Sequence, residues 1–590
     1  MCSLFLISQT NFQHREFPHM SSYQLNGLIE QLLLRAENQT EQNLYYFLDS
    51  RGREYNYLTY GSLLESVRRL GRWLEEKTSI CDRVAIQLPT SAEFIITFFA
   101  CLYTNRIPVP LSSPTRKHNC EHYQRVFNDC DASLVVVDPS VKDLYEKEGL
   151  LSTPLFTFPS LENFTPLTTP VNRQNNDIAF LQYTSGSTSF PKGVMVSHEN
   201  IMANQKMIQR TFGHGNHSIG LGWIPLFHDM GLIGSVFQPL SVGFPCYLMS
   251  PITFLQRPKL WLKTISDKKV TTTGGPNFAY DLCVKRINKT SLEGVSLSSW
   301  EVAYNGAEHI KLETLEEFGK TFAPYGFRKT SFLPCYGLAE ATLIVSGVDK
   351  LEQPSALSIP RHSNEILDGD VSDKKGNTRP VISCGRVMPE LSLQIVNPQT
   401  LKKCPSYHIG EIWVAGRSVT KGYWQKREKT QKTLVFRDGL RFLRTGDLGF
   451  VDSQNNLYVT GRLKDLIVID GKNYYPQDIE ETVKFSHPAL SEVNCAVFSI
   501  SGVRTQKLVV VSEVDRKYRR HIFDFATEIK EAIKTSIHNH YQIAIQDIVL
   551  LQLNSIPKTT SGKIQRQLTK LQYLTQKLTS LEQVNPVSQR

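Results

Sequence analysis

The chain has 590 residues, 41% apolar and 21% charged: an ordinary globular balance, and too long for a single hydrophobic core. Its 66 basic and 56 acidic residues leave a net charge of +10. The two signs interleave along the chain, which argues for a mixed solvated surface and against nucleic-acid binding. Eleven cysteines without a C-x-x-C pair fit a reducing, cytoplasmic setting with core thiols. The opening Met-Cys-Ser-Leu-Phe-Leu-Ile-Ser lacks the basic start and the length of a secretory signal. The longest apolar run, 94–103, is about half of what a spanning helix needs. It reads as a buried helix, and no membrane span is expected.

Residues 83–88 alternate as a strand, 91–102 carry apolar residues at helical spacing, and 107–111 return to an extended pattern. Extended runs recur at 133–137 and 178–182, so the pattern predicts repeated βαβ units and a mostly parallel sheet covered on both faces. His118, Cys120 and His122 lie close together in a charged, polar segment, where a solvated surface is favoured over a metal site. Residues 349–380 form a polar stretch carrying Gly, Pro, Ser and Lys, a long insertion between elements. Short strands separated by turns follow, at 391–396 and 411–415, and suggest a small β subdomain over about 381–460. From Lys464 a new pattern begins, with strands at 493–500 and 508–514 and helices at 523–537 and 565–578. The expected architecture is α/β: a large N-terminal domain (1–463) of two βαβ-type sheet subdomains plus the β subdomain, then a small α+β domain (464–590).

Directly after the apolar run 178–181 stands Tyr183-Thr184-Ser185-Gly186-Ser187-Thr188-Ser189-Phe190-Pro191-Lys192-Gly193. A strand feeding a loop of glycine, small hydroxyls and one lysine can turn several backbone N–H groups toward one anion. The spacing G-x-x-x-x-G-K-[ST] of the P-loop in ordinary nucleoside triphosphatases is absent. A flexible hairpin would explain the Ser and Gly but not the Pro-Lys-Gly finish. Further along, 222–231 ends in His228-Asp229-Met230-Gly231, although a satisfied core histidine is the other reading of His228. Cys335-Tyr336-Gly337-Leu338-Ala339-Glu340 offers an aromatic face for a purine, a tight turn and a carboxylate. A carboxylate near phosphates suits Mg²⁺, which takes one or two carboxylates plus phosphate oxygens. Asp447 stands at a turn in Arg444-Thr445-Gly446-Asp447, where it can accept hydrogen bonds from both hydroxyls of a ribose; Arg462 follows with a guanidinium fork. Lys563 closes the loop Pro557-Lys558-Thr559-Thr560-Ser561-Gly562-Lys563.

In this order, from about Leu58-Thr59-Tyr60 to Lys563, the motifs resemble those of the adenylate-forming enzymes: acyl-CoA synthetases, nonribosomal-synthetase adenylation domains and luciferases. The resemblance implies ATP and Mg²⁺ as cofactors, and a carboxylate joined to the α-phosphorus of ATP with release of pyrophosphate. By that resemblance Thr184, Ser185, Gly186, Ser187, Thr188 and Lys192 hold the β and γ phosphates, and Glu340 holds the metal. Tyr336, with Gly337, Leu338 and Ala339, stacks on adenine, and Asn305, Gly306 and Ala307 form the opposite wall. Asp447 and Arg462 fix the ribose. Lys563, on a small mobile domain, bridges substrate carboxylate and α-phosphate, and Lys464 falls at the hinge. Thr104-Asn105-Arg106 departs from the family's small Ala-Gly residues but touches no expected ligand.

The Phe-Asp-x-Ser segment that clamps an amino group is missing, and His228, Asp229, Met230 and Gly231 stand in its place. With Gly275, Pro276 and Phe278 they read as the walls of an apolar acyl tunnel. These segments, the 349–380 insertion, Ser383-Cys384-Gly385-Arg386 and residues 473–480 are similar to fatty acyl-AMP ligases. In those enzymes the insertion braces the two domains, and the acyl group passes to the phosphopantetheine arm of an acyl carrier protein. The expected partners are therefore a fatty acid and a carrier protein. A fatty acyl-CoA synthetase and a non-catalytic acyl- or nucleotide-binding protein are the alternatives.

Overall fold

The computed structural model describes residues 27–114, 117–149, 152–183, 191–361, 378–470, 472–502, 506–519, 522–559 and 562–583. Parallel strands build the centre of the large lobe. Asn43–Leu48, Cys246–Met249, Gly220–Gly222, Thr272–Gly275, Val302–Asn305 and Phe332–Gly337 lie side by side in one 15-stranded sheet. Beyond Phe332–Gly337 the pairing turns antiparallel, through Ile344–Gly347 to Thr378–Val387 and then to Asn456–Arg462, Leu440–Val451, Gly410–Gly416 and Leu391–Val396. The β subdomain expected at 381–460 is thus hydrogen-bonded into the main sheet.

A second sheet, Ile107–Pro110, Arg83–Gln87, Ala132–Val137 and Leu155–Thr157, is parallel throughout. The strand expected at 178–182 does not extend that ladder. Ile178–Tyr183 pairs antiparallel with Gly193–Ser197, the strand just after the phosphate-type loop. Alternation of apolar residues marks a strand but carries no information on the direction of its partner. The run 94–103 is buried as expected, inside the helix Ala92–Tyr103. Cys120 is buried in the core of the second sheet. Among the described residues no cluster of three or more His, Cys, Asp or Glu could hold a metal, and no helix is long and apolar enough to cross a membrane.

From Ile467 onward the apolar residues close a core of their own. Cys495–Ser501, Gln506–Glu513 and Ile545–Leu551 form a three-stranded sheet, and the helices Pro476–Ser486 and Ile522–Tyr541 cover it. Ion pairs cross between the two cores. Lys311 Nζ lies 2.8 Å from Glu481, and Arg379 Nε lies 3.1 Å from Asp478.

Two histidines, His198 and His214, are buried in this architecture, and a third, His309, is half-buried against the cavity. Burial, helped by nearby cations, pushes His198, His214 and His309 down to about 3. Folded, they are neutral; unfolded, they bind protons near pH 6.5. Between about pH 6.5 and 3 the unfolded chain therefore binds more protons, and stability falls as the pH falls. His214→Gln should flatten that loss by up to about 1.4 kcal/mol per pH unit. Urea unfolding midpoints between pH 7 and 5 would check it; an unchanged slope would contradict the neutral, buried state of His214.

Candidate active site

The sheet geometry decides where a ligand can sit. In a parallel sheet the loops leaving the carboxyl ends of the strands surround a crevice. Gly306, Ala307 and Glu308 follow Val302–Asn305, Leu338, Ala339 and Glu340 follow Phe332–Gly337, and Asn277 and Phe278 follow Thr272–Gly275. All of them line one cavity of about 1040 Å³, which the C-terminal lobe roofs with Lys563 and Arg566.

Adjacent antiparallel strands set one polar corner. Asp447 and Arg462 are register partners, and Arg462 Nε lies 3.0 Å from Asp447 Oδ1. The Tyr336 hydroxyl donates to Asp447 Oδ2 at 2.7 Å. Both carboxylate oxygens are therefore held, which fixes the orientation of Asp447 and of the Tyr336 ring. Ala307, on the facing wall, adopts a left-handed backbone with φ of 69°. That strain in a residue with a side chain is characteristic of functional sites.

Glu340 marks a second corner. Its Oε1 accepts a 2.8 Å hydrogen bond from the Tyr423 hydroxyl, a residue that motif reading missed. Lys192 and Lys429 line the cavity on this side. Thr184, Ser185, Gly186, Ser187 and Thr188 lie outside the described residues.

The third corner gathers charge from both lobes. His228 caps the short helix Asp229–Leu232, and its Nδ1 lies 2.6 Å from Asp229 Oδ1. Burial raises the Asp229 pKa, but His228, the Met230 N–H and Lys563 outweigh it and the net shift is downward. Glu308, also missed from sequence, accepts the Phe278 N–H at 2.6 Å. Burial holds its pKa up, against the pull of Lys563. Lys563 is pushed down by burial and then by Arg462, while Asp229, Glu308 and Asp447 oppose the shift. Three carboxylates of the other lobe thus act against the desolvation of this ammonium.

Lys464 also lines the cavity, in the turn Leu463–Asp465. The acyl-type residues divide. His228, Asp229, Met230 and Phe278 face the cavity, whereas Gly231, Gly275 and Pro276 support it from behind, as does Asn305. A Cβ on Gly275 would come within 2.4 Å of the Trp223 ring. Apolar side chains, among them Ile208, Phe212, Leu221 and Phe244, also line the cavity.

Comparison with known proteins matches the AMP-binding enzyme family over residues 34–424. The chain belongs to that family. Residues 464–583 match the AMP domain described as Disco-interacting protein 2-like. The chain is similar to JamA of Moorena producens, a medium-chain-fatty-acid–[acyl-carrier-protein] ligase, at 38% identity over 94% of this chain and 96% of JamA. It is also similar to TtuA of Teredinibacter turnerae, a ligase of the same description, at 33% identity over 91% and 92% of the two chains. The crystal structure of the fatty acyl-adenylate ligase from Legionella pneumophila, in complex with acyl adenylate and pyrophosphate, superposes with a TM-score of 0.72 at 36% identity. That match covers 94% of this chain and 97% of the other. Within the AMP-binding enzymes the chain therefore stands with the fatty acyl-AMP ligases of the adenylate-forming superfamily.

In this AMP-binding enzyme Gly231 holds the His228 turn in place. A Cβ there would meet the Pro225 carbonyl oxygen at 2.2 Å and that of Ile224 at 2.7 Å, both backbone atoms that cannot swing aside. Gly231→Ala should destabilise the protein by about 1–3 kcal/mol through overpacking. Chemical denaturation would show it, and a variant of unaltered midpoint would mean that the turn yields freely.

Proposed function

We propose that the enzyme joins a medium- or long-chain fatty acid to ATP, releasing pyrophosphate, and passes the acyl group to the phosphopantetheine arm of an acyl carrier protein. The observation that carries this reading is that Lys192, Glu340, Asp447 and Lys563, drawn from both lobes, line one cavity. In the first step a carboxylate oxygen attacks the α-phosphorus. A new acyl O–P bond forms, and the bond to the departing pyrophosphate breaks. Both reactants are anions, so catalysis is positioning plus neutralisation of charge.

The residues divide that work. Asp447 and Arg462 take the ribose, with the Tyr336 ring against adenine. The Thr184–Lys192 segment takes the β and γ phosphates. Lys563 meets the substrate carboxylate and the α-phosphate together, and its partial desolvation strengthens both contacts. Glu340, one carboxylate held by Tyr423, fits Mg²⁺, which binds through one or two carboxylates and otherwise through phosphate and water oxygens. There it would neutralise phosphate charge. The apolar side chains in the cavity wall, Ile208, Phe212, Leu221 and Phe244, suit an alkyl chain.

Laurate with ATP should yield lauroyl-adenylate and pyrophosphate, and the acyl group should appear on a carrier protein rather than on CoA. Robust acyl-CoA formation would favour a CoA synthetase instead. Lys563→Ala should lower adenylate formation by at least about a hundredfold, the scale for losing one preorganised charge-stabilising group, while nucleotide binding persists. Unchanged turnover would remove Lys563 from the mechanism.

The choice of acceptor rests on a buried contact at the edge of the insertion. Arg379 pairs with Asp478 of the C-terminal lobe, stacks 4.4 Å over the Tyr475 ring and donates to the Thr460 carbonyl at 3.2 Å. Both charged side chains are less than a tenth exposed. The rotation that a second, CoA-dependent step would need has to separate this pair and its stack on Tyr475. Arg379→Ala should release the lobe and raise CoA-dependent thioester formation several-fold. No gain, in a variant that still makes adenylate, would argue against the brace.

A further inference from the structure

Lys192, Lys429 and Lys432 all line the cavity, and the reading above uses only the first of them. The helix Arg427–Thr433 places Lys429 and Lys432 three residues apart, hence on one face, and both side chains line the cavity. Lys429 lies over the Tyr423 ring, 5.4 Å from its centroid, and the Tyr423 hydroxyl holds Glu340. The Lys192 ammonium lies against Lys429. The neighbouring cation, Lys426, is already paired with Asp129.

Charge counting then isolates an imbalance. Lys192 and Lys429 bring two positive charges to one corner, where Glu340 supplies one negative charge. Like charges this close repel each other unless an anion lies between them. Burial and Lys192 push Lys429 down to about 8, whereas Glu340 pulls it back up. A polyanion reaching both ammonium groups would reverse that penalty.

We propose that Lys429, assisted by Lys432, is a second polyphosphate-binding lysine of this enzyme. It engages the β and γ phosphates of ATP opposite Lys192 and retains the pyrophosphate product. The proposal rests on the acyl-adenylate reading for its ligand, but not for its test. Lys429 is a binding residue at the leaving-group end. It takes no part in the contact of Lys563 with the carboxylate and the α-phosphate.

The test compares the full-length wild type with K429A, K429R and K432A, using inorganic pyrophosphate and ATP, each with Mg²⁺. Direct binding of pyrophosphate, measured by calorimetry, needs no turnover. It therefore stays informative even if no fatty acid is activated. K429A should weaken pyrophosphate binding at least tenfold and raise the KM for ATP in parallel, with the KM for laurate unchanged. K432A should show a smaller loss. K429R should restore most of the affinity, because the guanidinium keeps the charge. Circular dichroism and the unfolding midpoint establish that K429A is folded. A folded K429A that binds pyrophosphate as tightly as the wild type would overturn the proposal. So would a K429R as weak as K429A, which would tie the effect to packing against Tyr423 rather than to charge. If wild type binds pyrophosphate but makes no adenylate from laurate, the functional reading fails and the anion site stands.

Discussion

An ammonium taken out of water is costly by several kcal/mol unless opposite charge meets it. Lys563 is half-buried, and desolvation pushes its pKa down. It belongs to the C-terminal lobe, yet Asp229, Glu308 and Asp447 of the other lobe offset its desolvation. In the proposed reading, docking of the lobes and composition of the reaction centre are one event. Of the contacts that hold the lobes, Lys311 and Glu481 line the cavity, whereas Arg379 and Asp478 do not.

The sheet prepares the corner that Lys563 enters. Four neighbouring parallel strands end at one edge, and their loops carry His228, Phe278, Glu308 and Glu340 to the same cavity. Just past Phe332–Gly337 the pairing becomes antiparallel, and two strands of that half set Asp447 beside Arg462 in register. Backbone pairing thus fixes groups more than a hundred residues apart to within hydrogen-bonding distance, as Tyr336 and Asp447 illustrate.

The cavity wall carries the Asp447–Arg462 pair, Lys192 and Lys429 with Glu340, Lys563, and apolar side chains. In the proposed reading these charged and apolar walls serve a molecule with a polyphosphate, a sugar and an alkyl tail.

The sequence by itself determined the enzyme family and the α/β class. Both are local: glycine-bounded loops, a Lys after Pro, and alternating apolar strands keep their signature in a short window. The helix at 92–103 and the strand at 391–396 were legible for the same reason. Tertiary structure decided what depends on distant partners. It turned the strand at 178–183 away from the parallel ladder, joined the 381–460 strands to the main sheet, and recruited Glu308, Tyr423, Lys429 and Arg379. Each of those four looks like an ordinary surface or core residue in sequence. Its importance arises from burial beside a charge far along the chain, and a pattern of neighbours in sequence holds no record of that electrostatic field.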